Sequence, residues 1–302
     1  MHFFYRLYNF VFWPYPWRQF QFFLRLLVFT FGLYMVHRFW YAYERLTDWW
    51  FHYTSEIKAV RQYNPLPVLP SWWVLPFGIV VFGTIILYLI WRKQKYLIRV
   101  LFFISVYTQF VDLASAFTLN KYYTVFFLLA ACSYVYIDKL DNSKKISARP
   151  VRIMQITFLI QYFTAGTCKV KHWDRLVHQD VLRTQMQWLY CNNVCACLLR
   201  ITPKSYRQYF EYLTLGFEVL APILLLVSYL HHKLVPLKRI IFIIGMWFHL
   251  FIAISMKNLI YFSQQLMVMY VLFLSISEFD RMMDKIKLTL RKISDIFIST
   301  YN

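Results

Sequence analysis

Charge is scarce in this chain. Only 16% of its 302 residues are Asp, Glu, Lys or Arg, against 60% apolar and 22% aromatic residues. That balance excludes the surface of a soluble globular domain and points to a polytopic membrane protein. Acidic residues are the scarcer sign, 14 against 33 Lys and Arg. A basic excess can signal nucleic acid, but here the basic residues lie between apolar runs, where they flank membrane spans and meet anionic lipid. Nucleic acid is therefore set aside as a partner, and membrane lipids are expected. The N-terminus, M-H-F-F-Y-R-L-Y-N-F, has aromatics where a signal peptide has a basic region and an aliphatic core, so it is expected to be retained. The chain has no internal repeat and no linker that would set off a second domain, and residues 1–302 read as a single domain. Cysteines number five. Three of them, Cys191, Cys195 and Cys197, cluster in C-N-N-V-C-A-C without a histidine at zinc-finger spacing, so no metal site is expected. If that segment faces an oxidising compartment, one of the three should enter a disulfide.

Apolar runs predict an all-α bundle of about eight transmembrane spans with interfacial amphipathic helices. The expected spans are Gln21 to Tyr43, Trp72 to Trp91, Tyr96 to about Phe117, Tyr122 to Ile137, Val151 to Val170, Tyr209 to Leu230, Leu237 to Met256 and Asn258 to Ile276. Residues 1–20 alternate aromatics with Arg6, Arg18 and two prolines, too short and too interrupted to span, and suit an interfacial anchor. Between 171 and 207 no run is long enough to cross. There Trp173, Val177, Val181, Thr184 and Trp188 recur at helical spacing, as in a helix lying on the membrane or re-entering it. The tail, 279–302, is amphipathic again. Phe279, Met282, Met283, Ile286, Leu290, Ile293 and Phe297 form one side, with Arg281, Lys285, Lys287, Arg291 and Lys292 between them, as expected for a helix on anionic lipid.

The larger share of Lys and Arg outside the spans falls on the side that holds the N-terminus, so both termini are expected in the cytoplasm of a cell-membrane protein, with 171–207 outside. This topology gathers scattered polar residues into one leaflet. Lys169 ends a span leaving the cytoplasm, and His249, His37, Arg38, Gln109 and Asp112 fall in the outer halves of theirs. Lys121 begins a span at its outer edge, and Glu218 lies about 13 Å down another. Ionisable residues inside a membrane usually face a bundle interior or wet cavity, so an outward-opening polar pocket is expected. Each residue also has an ordinary reading: His37 and Arg38 with headgroups, Asp112 neutralising an arginine, His249 as a helix contact.

The centre of that pocket is expected in Arg152 to Trp173, R-I-M-Q-I-T-F-L-I-Q-Y-F-T-A-G-T-C-K-V-K-H-W. Its apolar run ends in Thr164-Ala165-Gly166-Thr167, nearly without bulk, and Gly166 lies almost on the face of Lys169, three residues on. An open notch beside the amine is expected. An ammonium partly withdrawn from water becomes available as a neutral base or nucleophile. A lysine at a helix end can equally snorkel to the headgroups.

The run Y-F-T-A-G-T-C-K-V with Trp173 and M-Q-W-L-Y, then F-E-V-L-A-P-I-L-L-L at 217–226 and W-F-H-L-F-I-A at 247–253, resembles the HTTM family. These are the vitamin K-dependent γ-carboxylases and the bacterial proteins that share their membrane domain. The resemblance implies a membrane helical bundle in which Lys169 deprotonates a hydroquinone. The oxygenated quinone then removes a proton from a glutamate side chain and carbon dioxide adds. It implies a membrane quinone as the candidate cofactor and Lys169 as the base, with Gly166 and His249 at matching positions. Together with the topology, Lys169, His249 and Glu218 are the expected catalytic set, and Gly166, Lys121, Trp173 and Asp112 are expected around the substrate. Where the carboxylases have histidine after an asparagine, this chain has Asn120-Lys121. The chain is expected to be a short form without their extracytoplasmic substrate domain. Two functions follow: an enzyme using Lys169 on a quinone-like or lipid substrate, or an accessory role like that of the SdpB-type proteins that mature secreted peptides.

Overall fold

In the computed structural model the described residues are 14–44, 71–91, 94–111, 119–137, 145–170, 193–230, 234–255 and 260–301, with Tyr8 and Phe12. They are almost entirely helical. The helices are α1 (Trp17–Glu44), α2 (Ser71–Ile90), α3 (Gln94–Val111), α4 (Leu119–Ile137), α5 (Ala148–Val170), α6 (Asn193–Ile201), α7 (Lys204–Leu230), α8 (Val235–Ser255), α9 (Ile260–Met269) and α10 (Ile276–Tyr301). Four segments are long and apolar enough to cross a membrane: Trp17–His37 in α1, Trp72–Ile90 in α2, Tyr206–Ser228 in α7 and Pro236–Ser255 in α8. Their outward faces carry bare apolar side chains, such as Leu75, Ile79 and Ile90 on α2 and Ile243, Trp247 and Ile254 on α8. Contiguous exposed apolar surface of this kind is suited to lipid, not water.

The long helices pack as a closed ring. α1 touches α2, α2 touches α3, and the contacts continue through α4, α5, α7, α8 and α9 back to α1. The core is largely aromatic. Phe31 packs edge-on against Phe127 with ring centroids 5.2 Å apart, and Phe158 meets Tyr270 at 5.4 Å in the same way. Edge-to-face pairs of this kind bury large area and add about 0.5–1.5 kcal/mol beyond it.

The expected span Asn258 to Ile276 is not one continuous helix. α9 tightens into a 3₁₀ turn at Tyr270–Phe273 and the chain then extends through Leu274 and Ser275. The reason lies in other elements. Gln19 Nε2 donates to the carbonyls of Val271 and Leu274 at 2.8 and 3.0 Å, Tyr15 Oη to that of Leu272 at 3.1 Å, and Gln155 Nε2 to the same oxygen at 2.6 Å. A helix end buried in a bundle needs such partners, because its last carbonyls have none within the helix. Arg152 Nη1 in turn holds Gln155 Oε1 at 2.8 Å, and a two-residue antiparallel ladder, Tyr15–Pro16 with Lys145–Ile146, ties the approach to α1 to that of α5.

Other boundaries also differ from expectation. α3 is described only to Val111, and 112–118 of the expected third span lie outside the described residues. α7 begins at Lys204, five residues before the expected Tyr209, because Pro203 accepts from the Arg207 amide and starts the helix there. Most of residues 1–13 and the 171–192 part of the interfacial segment lie outside the described residues.

Candidate functional site

Lys169 stands in the last turn of α5, and its ammonium meets the Glu218 carboxylate of α7 with both oxygens, at 2.5 and 2.6 Å. The contact depends on Gly166. A Cβ there would come within 2.6 Å of Val219 Cγ2 and 3.1 Å of the Val219 backbone nitrogen and of Glu218 Cβ. Only a residue without a side chain lets the two backbones approach so closely, which is the use of small residues between membrane helices. The notch expected beside the amine is therefore not open: α7 fills it and supplies the counter-ion. The Glu218 side chain is 10% exposed and that of Lys169 44%. One partner is thus sheltered and the other reachable. Pro222, four residues on, offers no N–H to the Glu218 carbonyl and loosens α7 at this level.

His249 is buried in α8, as expected, but its partner is Tyr162, not Lys169 or Glu218. Its Nε2 hydrogen-bonds the Tyr162 hydroxyl, which lies 3.5 Å from the hydroxyl of Tyr270. Tyr162 is one helical turn before Gly166, and Phe217, beside Glu218, packs edge-on to it at 6.0 Å. The polar chain His249–Tyr162–Tyr270 thus lies one turn below Gly166, separated from the ion pair by aromatic packing. Gly245, one turn before His249, leaves room for the Tyr270 phenol, since a Cβ there would overlap it. Reading the sequence singled out neither Tyr162, Tyr270 nor Gly245. The available signal was spacing, because Tyr162 and Gly245 each precede a predicted site residue by four.

Buried polar atoms are distributed unevenly along the bundle. At the end where α1 begins, Gln19, Gln94, Gln155 and Lys238 all have partners. In the opposite half, Gln109 Oε1, Thr124 Oγ1, Gln161 Oε1, His249 Nδ1, Ser263 Oγ and Gln264 Oε1 have none among the described residues. Buried polar groups in folded proteins are nearly always satisfied, so that half is chemically the more demanding one. It is also the half that holds Lys169 and Glu218.

Open space lies on the other face of α5. A cleft of about 440 Å³ between α4 and α5 is lined by Tyr122, Thr157, Gln161, Thr164, Ala165 and Cys168. Lys121, next to Tyr122, is exposed at the start of α4. His37 stacks on Tyr261 at 4.6 Å. Asp112, Trp173 and Cys191 lie outside the described residues, as do the side chains of Arg38 and Cys195. Cys197, Cys168 and Cys132 are free and exposed thiols. No protein-family model, curated protein or solved structure matches this chain.

Proposed function

We propose that the chain is an eight-span membrane protein of the HTTM type, an enzyme whose Lys169–Glu218 pair moves a proton from a quinone-like or lipid substrate in the outer leaflet. The observation that carries this reading is the asymmetry of the pair: a sheltered carboxylate gripping a half-exposed ammonium with two oxygens. In the resting pair the proton sits on the amine. Its transfer to Glu218 leaves a neutral amine facing outward and a carboxylic acid behind it. The amine then takes the substrate's hydroxyl proton, and the carboxyl returns its own to solvent. Gly166 sets the distance over which the first transfer runs. The unsatisfied polar atoms in the same half of the bundle support a polar ligand there. Under this reading α3, α4, α5 and α9 join the four apolar helices as spans, and both termini are cytoplasmic.

The test uses the full chain in liposomes supplied with a reduced membrane quinone and with dissolved oxygen as the oxidant of the deprotonated quinol, with quinol oxidation followed by absorbance for wild type, Lys169→Arg and Glu218→Gln. Arginine preserves the charge but does not deprotonate at usable pH. Lys169→Arg should therefore abolish turnover at normal abundance while quinol still protects the protein from heat. Full turnover in Lys169→Arg would overturn the base role. Topology is tested separately: a cysteine at Ser143 should stay unlabelled by an impermeant reagent in intact cells, and labelling there reverses the assignment.

A further inference from the structure

The last helix, α10, divides into two halves of different character. Its first turns are clamped to the bundle. Ser275 and Glu278 form a capping box, in which the Ser275 amide donates to Glu278 Oε2 at 2.9 Å and the Glu278 amide to Ser275 Oγ at 3.4 Å. The same carboxylate takes Lys238 at 2.6 Å and Arg239 at 3.1 Å from α8, and Asp280 reaches Arg18 of α1 at 3.5 Å. Phe279, buried, packs edge-on to Phe22 of α1 at 5.6 Å. Beyond Met283 the helix leaves the bundle, and residues 284–295 are exposed on every side.

The apolar stripe does not stop where the contacts do. Phe279, Met282, Met283, Ile286, Leu290 and Ile293 share one face at helical spacing. The buried end of the stripe is turned towards the first turns of α1, one of the helices apolar enough to cross a membrane. Its continuation, with Leu290 60% and Ile293 44% exposed, must then face the same way, past the edge of the bundle. Charge separates along the helix as well. Glu278 and Asp280 are held by partners in α8 and α1, whereas the distal part keeps Lys285, Lys287, Arg291 and Lys292 against Asp284 and Asp295, with Lys287 3.8 Å from Asp284 in an exposed pair. These four cations flank the stripe, so the long side chains can reach upward while the stripe sinks.

We propose that the distal half of α10, residues 284–295, is a docking surface for anionic lipid at the membrane face that borders the start of α1. The occupant is fixed by complementarity. An apolar stripe flanked by cations fits the boundary between acyl chains and acidic headgroups, where each Lys or Arg strengthens binding about fivefold. The proposal rests on the membrane reading of α1 and α8 and is independent of any role for Lys169.

The full chain is placed in lipid nanodiscs, either wholly zwitterionic or about one-third anionic lipid, with a nitroxide on Leu290→Cys in a background free of other cysteines. Collision with oxygen and with a water-soluble nickel complex reports depth. In anionic discs the label should be reached by oxygen and shielded from nickel, and in zwitterionic discs the reverse. Lys285→Gln with Lys292→Gln should lower the docked-to-free ratio roughly 25-fold, and added salt should do the same. Nickel access in both disc types overturns the proposal. So does shielding accompanied by dipolar broadening between labels, which would mean a second copy covers the stripe. Recovery of the chain in discs is scored first, so that failure of the membrane reading is seen separately.

Discussion

Lys169 and Glu218 are partners across α5 and α7 because Gly166, between them, has no side chain. The lysine ends a helix that offers it no acid of its own, and the glutamate, 8% exposed, would otherwise be an uncompensated charge inside a bundle. Gly166→Ala should therefore act at a distance from its own volume. The added Cβ meets Val219 at 2.6 Å, including close approach to backbone that cannot rotate aside. Overpacking of this kind costs about 1–3 kcal/mol. Thermal unfolding in detergent should show that loss, and Gly166→Ala combined with Glu218→Gln should lose less than the sum of the two.

The pair itself is best read by a double-mutant cycle. Lys169→Met leaves a buried carboxylate without its cation, which is costlier than removing both charges. Lys169→Met should therefore be less stable than Lys169→Met with Glu218→Gln. Because the lysine side chain is 44% exposed, the coupling should fall between surface and fully buried pairs, about 1–3 kcal/mol. A coupling near zero would mean the contact contributes nothing to folding.

The sites of the helices were legible in the sequence wherever a run was uniformly apolar, as in Trp72–Ile90, which crosses the bundle where it was expected. Lys169, Glu218 and His249 were legible as polar intrusions into such runs. Their pairing was not, because the choice of Tyr162 over Glu218 as partner for His249 depends on the rotation of α8 against α5, which no local pattern encodes. Tyr162 and Tyr270 were invisible for a simpler reason: in a chain that is 22% aromatic, two more tyrosines carry no signal. The break at Tyr270–Phe273 was illegible because its acceptors are served by Gln19 and Gln155, far away in sequence. The start of α10 was missed because the expected span was carried through Ile276, although S-I-S-E at 275–278 has the spacing of a capping box.

That break yields a prediction. Gln19→Leu removes the donor to the Val271 and Leu274 carbonyls, and Gln155→Leu removes a donor to Leu272 together with one acceptor of Arg152. Each buried acceptor left unpaired costs about 1–3 kcal/mol. Both variants should unfold at lower temperature. Hydrogen exchange should rise first at 270–275 in Gln19→Leu, whereas a uniform rise across all helices would mean the carbonyls are satisfied elsewhere.

The clamp on α10 should respond to acid in a defined window. Burial pushes the Glu278 carboxyl up, but Lys238, the amide and hydroxyl of Ser275, and Arg239 outweigh it and hold it at about 2, below the ordinary value of 4.5. A carboxyl depressed in the folded state contributes its stabilisation fully above its unfolded value and loses it as pH falls towards the folded one. The clamp should therefore be constant from neutrality to about pH 5 and weaken between about 4.5 and 2. Glu278→Gln should show the weakened state at every pH, with the acid dependence gone. The measurement is hydrogen exchange of residues 276–283 in lipid discs as a function of pH, read against the bundle core at 123–130. If Glu278→Gln keeps the wild-type protection of α10 at pH 7, then Phe279 on Phe22 and Asp280 on Arg18 hold the helix unaided, and the carboxylate serves only to cap it.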